Sequence, residues 1–456
     1  MSYQEERLQE IADAIREVKG TTEKIPATSF ASEIVGLSVV KPNLITKEVT
    51  ENGTYKASDD GADGYSEVVV NVASSGGGGA NRVYGEFRCV AIDYDGTVLK
   101  EEWLNEGDVF ELPEFPTHDR LIAQEWSSPA PISDNKITVW EGDVIAGLLY
   151  DTQSGLSEFD VCMTKSTGKT ITFNMSGTKD WGDGTSDNLT THTYANYGNY
   201  TITCDGTSVS GNSSNTCSMF GAEKYQYNQC VAVRLSSKIT SLGTYTFYQC
   251  RALQKISFPN TVTSMSGGYW FEYCGAIKAI VLPKRITTIG THAFRYMGAC
   301  ENIVMPQGLR SIGTYALQSN ARMDMFIQPD TLTSISAYNT ATPFRSLRFS
   351  NGLTAISNIG NYDGNYGLRG RIAIPPTITS CGSSCYLGGW SNVVLDFSKH
   401  TEIPTMDAIS FLAINTDLRD LSNQTKIIVP DNLYDEWRAT TNWSKFSSYI
   451  YKASEV

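Results

Sequence analysis

What this sequence has little of narrows its function early. Only 19% of its residues are charged and no run of Lys or Arg occurs, so the footprint of a nucleic-acid binder is missing. Its longest apolar stretch, residues 144–150, falls far short of the roughly 20 residues that span a bilayer. The opening MSYQEERLQEIADAIREVKG has no basic n-region, no apolar core and no small-residue cleavage site. No secretory signal and no membrane insertion are therefore expected, and the chain reads as one made and kept soluble in a cytoplasm. In that compartment its ten cysteines are expected to be thiols, not a disulfide framework. The four histidines, His118, His192, His292 and His400, show neither metal-ligand nor triad spacing. Cys381 and Cys385 have no second pair nearby, and no phosphate-cradling Gly-rich loop appears. Neither a metal nor a cofactor is expected.

What is present points to β-structure. Gly 39 and Tyr 24 are high, apolar residues make up 41%, and long helical periods are few. Charge is unevenly spread. Residues 1–230 hold 16 Lys+Arg against 35 Asp+Glu, a net of −19, whereas residues 231–456 hold 20 against 14, a net of +6.

Along the chain, residues 1–40 read as short helices. Leu8, Ile11, Ile15 and Val18 follow 3-4-3 spacing and form one stripe, an attachment or oligomer seam. Residues 41–73 alternate in the manner of strands, with Asn52-Gly53 as a turn signal, and predict a β-hairpin module. Asp59, Asp60 and Asp63 lack the bidentate Glu of a calcium loop and read as turn residues. Residues 74–80, SSGGGGA, are a flexible linker, and 81–160 a small β-domain.

Inside that domain, Asp93-Tyr94-Asp95-Gly96-Thr97 matches the D-x-D-G-T strand motif of haloacid-dehalogenase-type phosphatases. There the first carboxylate would attack phosphorus and the second would act as acid and base beside Mg²⁺. Such chemistry needs a parallel sheet with a helix after the motif, and no helical period follows. Asp95-Gly96 therefore reads as a hairpin turn, and no catalytic residue is assigned.

Residues 210–429 carry a repeat. The phrase I-T-x-I-G recurs with its first apolar residue at Ile239, Val262, Ile286, Leu309, Leu332, Leu353 and Ile378, at intervals of 23, 24, 23, 23, 21 and 25. Three residues later stand Leu242, Met265, Ile289, Ile312, Ile335, Ile356 and Cys381. Pro259, Pro283, Pro306, Pro329 and Pro375 precede many copies in register, after strands expected to align Ile256, Ile280, Ile303 and Ile327. Phe247, Phe271, Phe294 and Leu317 act as plugs. No copy can bury its apolar face alone, so the pattern predicts a stacked solenoid. Residues 430–456 predict a helical C-terminal cap, with Asp431 and Asn442 as N-caps.

Three resemblances follow. The words IADAIREVKGTTEKIPATSFASEIVGL and VTENGTYKASDDGADGYSEVVVNV resemble the N-terminal modules of tail and baseplate-fibre proteins from phages of Gram-positive gut bacteria. That likeness covers about the first 75 residues. It implies a virion location in the tail, with assembly in the host cytoplasm. It also implies baseplate or tail proteins as N-terminal partners, and a homo-oligomer, as a trimer. Trp181-Gly182-Asp183-Gly184-Thr185, His192-Thr193-Tyr194 and Gly198-x-Tyr200 resemble a PKD-type β-sandwich, partial over residues 161–209. I-x-x-I-G followed by Phe247-x-x-Cys250 and Phe271-x-x-Cys274 is similar to BspA-like leucine-rich repeats, with later copies losing Cys or Phe.

Two residues before the plugs runs a second column, Tyr245, Tyr269, His292, Tyr315 and Tyr338. Its rings offer flat surfaces and polar tips for a ligand, or else they stack on one another and stiffen the rod. The reading is a mainly β chain of N-terminal helices, small β-domains and a BspA-like solenoid with a helical cap. It is expected to be a non-enzymatic, receptor-binding phage tail protein whose solenoid contacts host cell-surface glycan or protein. A bacterial BspA-like surface adhesin and a phosphatase using Asp93 and Asp95 are the alternatives.

Overall fold

The computed structural model describes residues 44–49, 64–70, 86–208, 217–220, 229–265, 267–336, 339–340, 344–357, 359–360, 370–382, 385–386, 393–407 and 426–456. The chain divides into two compact units, Met1–Val83 and Tyr84–Val456. The helices expected in 1–40, the seam Leu8, Ile11, Ile15 and Val18, the Asp59–Asp63 turn and the linker 74–80 lie outside the described residues. In the first unit, strands Leu44–Val49 and Gly64–Val70 pair in parallel. This corrects the hairpin expected around Asn52-Gly53. A parallel pair needs a crossover of about a dozen residues or more, and residues 50–63 are long enough to provide one.

In the second unit, residues 86–152 build a four-stranded sheet ordered Val98–Leu104, Phe87–Ile92, Val144–Thr152, Leu121–Ser127. The strand Val144–Thr152 is buried along nearly its whole length, because both of its faces are covered. Val144, Ala146, Leu148 and Tyr150 face the sheet's own core with Phe110 and Trp126. Ile145 and Leu149 face the other way and join the core of the solenoid, as do Val90 and Ile92. The sheet lies so close on the solenoid that a Cβ at Gly147 would sit 2.5 Å from Val281 Cγ2. Polar contacts pin the junction: Tyr150 N–H donates to Phe258 O at 3.0 Å and Ser127 Oγ to Leu282 O at 2.7 Å.

The boundary expected between residues 160 and 161 falls inside a strand, Ser157–Met163. That strand pairs antiparallel with Gly198–Cys204 on one side and with Cys230–Arg234, the first rung of the solenoid, on the other. Residues 157–204 thus cover the open end of the repeat, as a solenoid requires at its termini. The WGDGT and HTY words meet here: Trp181 stacks on His192 at 4.7 Å, and Tyr194 OH donates to Trp181 O at 2.9 Å.

The solenoid rungs stack through parallel strands. Val233 pairs with Ile256, Ile280 with Ile303, Phe326 with Leu347, and Ile372 with Leu395, which continues to Ile427 and Ile450. Ile327 is a correction to the expected column. It pairs with Arg348, so Phe326 holds the place and Ile327 points to the opposite face of its strand. A second ladder joins Ser241–Leu242 to Ser264–Met265, and Thr288–Ile289 to Ser311–Ile312 to Ser334–Ile335. Between the ladders the expected prolines close turns: Val262, Ile286, Leu309, Leu332 and Ile378 each donate a backbone N–H to the carbonyl of the proline three residues before. Phe247, Phe271 and Phe294 stack inside, at 5.3 and 5.9 Å.

At the C-terminus, helix Tyr434–Ala439 and the 3₁₀ turn Trp443–Tyr449 bury Trp437 and Trp443 against Phe397, and strand Ile450–Lys452 adds a last rung. Neither expected N-cap acts as one. Asp431 Oδ1 accepts from Ser454 N–H at 3.1 Å, and Asn442 Nδ2 donates to Met406 O at 2.7 Å. Asp431 closes a contact within the cap and Asn442 ties the cap to the rung before it, so neither side chain caps a helix end.

Candidate functional site

The aromatic column forms at one corner of the solenoid, where glycines let successive rungs approach. A Cβ at Gly290 would lie 1.6 Å from Gly267 O, and one at Gly268 2.0 Å from Thr291 O. Beyond this corner four successive rungs each enter the left-handed region twice. Before the plug stand Tyr245, Tyr269, His292 and Tyr315 with φ of 60°, 59°, 56° and 59°. After it stand Gln249, Tyr273, Tyr296 and Ser319 with φ of 61°, 65°, 58° and 62°. That conformation costs a side-chain-bearing residue roughly 1–2 kcal/mol. Backbone hydrogen bonds between rungs offset it. Tyr245, Phe247 and Gln249 donate to Gly268, Trp270 and Glu272, and the next two rungs repeat the pattern through Tyr269, Phe271, Tyr273 and His292, Phe294, Tyr296. These bonds form a third ladder, which holds the aromatic side chains in register.

Tyr245, Tyr269, His292 and Tyr315 stack face to face, with centroids 4.5, 4.6 and 4.9 Å apart and planes within 21°. The facing sides of these four rings are therefore used on each other, which leaves mainly ring edges and polar tips along the stack for a ligand. Tyr338 lies outside the described residues. Desolvation, with Arg295 nearby, holds His292 below its ordinary 6.5, which suits a neutral ring in the stack.

A parallel column was not singled out from the sequence. Tyr273 and Tyr296 stack at 4.8 Å, and Tyr248 meets Tyr245 and Tyr273 edge-on at 5.3 and 6.1 Å. Arg295 lies 4.4 Å over the Tyr296 ring and 5.2 Å over that of Tyr315. It donates to Gln318 Oε1 at 2.7 Å and pairs with Glu272 at 3.3 Å. Glu272 is buried, and desolvation raises its carboxyl despite Arg295. Arg251 adds a cation 5.8 Å from the Tyr273 ring. Tyr296 is 36% exposed, the most open ring of the group. The signal was available, because Gln249, Tyr273, Tyr296 and Ser319 recur at the same spacing as the first column. The result is a corner of stacked tyrosines, two arginines and amide side chains, rich in hydroxyls and ring edges.

The Asp93 motif takes the hairpin setting. Phe87–Ile92 and Val98–Leu104 pair antiparallel, and strand follows strand with no intervening helix. Asp95 Oδ1 accepts from Thr97 N–H at 3.1 Å, a turn contact. Asp93 is buried, with Oδ2 2.8 Å from His118 Nε2, and burial with Asp93 nearby raises the Tyr150 phenol. Cys217 and Cys250 meet at 3.6 Å in the core, and burial pushes the Cys250 and Cys274 thiols well above 9.0. Among the described residues, no group of three His, Cys, Asp or Glu is placed to hold a metal ion.

Residues 218–342 match the family described as BspA type leucine rich repeat region, in six copies. No curated protein matches the chain. Among solved structures, a leucine-rich repeat protein from Bacteroides ovatus is 18% identical, over 57% of this chain and 69% of its own, with a TM-score of 0.33. A leucine rich repeat protein of T. pallidum is 19% identical, over 39% of this chain and 80% of its own, with a TM-score of 0.28. A leucine rich cell surface protein from Faecalibacterium prausnitzii is 14% identical, over 40% and 82%, with a TM-score of 0.16. The rungs, turns, plugs and family match agree: residues 218–342 are a BspA-type leucine-rich-repeat region.

Proposed function

We propose that this chain is a non-enzymatic adhesion protein whose solenoid corner, centred on Tyr273, Tyr296 and Arg295, holds a glycan or protein on a host cell surface. The observation that carries the reading is the paired aromatic column. It recurs on successive rungs at a register that core packing alone does not demand, since the plugs already fill the interior. Tyr and Arg are among the side chains most enriched where binding energy concentrates. The charge split favours the same half of the chain, because the net-basic residues 231–456 favour encounter with anionic cell-wall polymers.

The setting we propose is a phage tail, with residues 1–73 attaching the chain to baseplate or tail proteins, as a trimer. The wording of the first 75 residues supports this. Several copies on one particle would sum weak contacts into avidity. The family match also suits a bacterial surface adhesin, in which the same corner would face another cell. Mass spectrometry of purified virions separates the two readings, since the chain is expected among the tail proteins and its absence overturns the phage setting. For adhesion itself, labelled full chain is expected to bind intact host cells saturably and to be weakened, not abolished, by added salt. Absence of saturable binding contradicts the reading.

A further inference from the structure

Away from the tyrosine corner, a groove of about 360 Å³ opens where the β-domain sheet meets the strand face of the solenoid. Its floor is set by Arg88, which stands opposite Trp103 in the strand register. The Arg88 guanidinium bridges the junction, donating to Glu101 Oε1 at 2.7 Å and to Asp324 Oδ2 at 2.6 Å. Asp143 lies beside it and accepts from Arg88 N–H at 2.8 Å. Desolvation raises the Asp143 carboxyl above its ordinary value, against the hydrogen bonds and the Arg88 charge that lower it. The backbone leading to Asp143 is strained at Glu141, where φ is 43°, and then passes through Gly142 at 146°, which glycine adopts freely. A Cβ on Gly142 would press on Arg348 at 3.2 Å, so glycine lets this turn close onto the solenoid. Strain of this kind collects at sites that must hold one geometry.

The walls supply the remaining chemistry. Trp103 is 47% exposed and lines the groove. Arg371 is engaged by Asp396 at 2.6 Å. Arg345 lines the groove, is exposed, and makes no side-chain hydrogen bond or ion pair among the described residues. Arg88 is matched by Glu101 and Asp324, so among the described residues Arg345 is the one groove cation left for a ligand's charge. An aromatic ring, fixed carboxylate acceptors and a free guanidinium fork suit a sugar ring that bears one anionic group.

We propose that this groove binds a hexopyranose uronate, its ring against Trp103, its hydroxyls on Asp143 and Asp324, and its carboxylate on Arg345. The site is separate from the tyrosine corner, so either can fail while the other stands. The test titrates the full chain with methyl glucuronide and methyl glucoside, followed by saturation-transfer NMR. The expected result is millimolar binding of the glucuronide, about tenfold tighter than the glucoside, the size of one charge-assisted pair. Arg345→Ala is expected to reduce glucuronide binding to the glucoside level, and Trp103→Ala to remove both. Both side chains are exposed, so an unchanged melting temperature serves as the folding control. No saturable binding of the glucuronide, equal affinity for the two sugars, or either folded variant binding the glucuronide as well as wild type would overturn the proposal.

Discussion

Substituting Gly147 by alanine tests whether the β-domain sheet is built onto the solenoid or merely tethered to it. The added Cβ would lie 2.5 Å from Val281 Cγ2, 3.0 Å from Val281 Cγ1 and 3.1 Å from Val304 Cγ2. Valine is stiff about χ1 and cannot turn both methyls away, so the sheet must shift. Overpacking of this kind costs about 1–3 kcal/mol. For a cooperative unit the size of Tyr84–Val456, that lowers the melting temperature by about 1–4 °C. Val281→Ala removes the two clashing methyls and alone costs about 1.6 kcal/mol of lost burial. The double variant is therefore expected to be no less stable than Val281→Ala alone, a coupling of about 1–3 kcal/mol. Denaturant titration of the four full-length proteins measures it. Strictly additive effects would refute the docked arrangement.

Two further outcomes follow from burial. Ile289 is fully buried between rungs, so Ile289→Asp strands a charge there and is expected to cost several kcal/mol; an unchanged melting temperature would place this residue outside the core. Desolvation lowers His292 and His400 below 6.5, so the neutral rings contribute stability above that pH, and the contribution is lost as pH falls through the lowered values. His292→Tyr is expected to lose less thermal stability than wild type on going from about pH 7 to about pH 5. An identical pH profile for the two proteins would show that His292 does not titrate within the stack.

The repeat was legible because its buried positions recur. Ile239, Val262, Ile286 and Leu309, followed three residues on by Leu242, Met265, Ile289 and Ile312, all lie in the core as their spacing required. Register within a rung was less legible. Phe326 and Ile327 are both apolar and both buried, and only the pairing of Ile327 with Arg348 shows which one faces inward. Contacts between distant segments left no sequence signal. Nothing around Gly147 announces Val281, so the run at residues 144–150 read as apolar without its second partner being apparent. Asp431 and Asn442 carry the right chemistry for caps, but tertiary neighbours claimed both side chains. At the candidate site the period revealed the tyrosine column but not that its faces would be consumed by stacking, since period fixes position and not ring orientation. Tyr273 and Tyr296 shared that period and needed the structure to set them beside Arg295.

The most direct test of the adhesion account is the affinity of the full chain for intact host cells with and without the outer column. Tyr273→Ala with Tyr296→Ala leaves the plugs Phe271 and Phe294 and the backbone ladder in place, and circular dichroism checks that the rod persists. Removing two aromatic anchors at an interface is expected to cost about 2–4 kcal/mol, a weakening of at least thirtyfold. A double variant that stays folded and binds as tightly as the wild type would contradict the account, and would leave the stacked tyrosines as structural reinforcement of the rod.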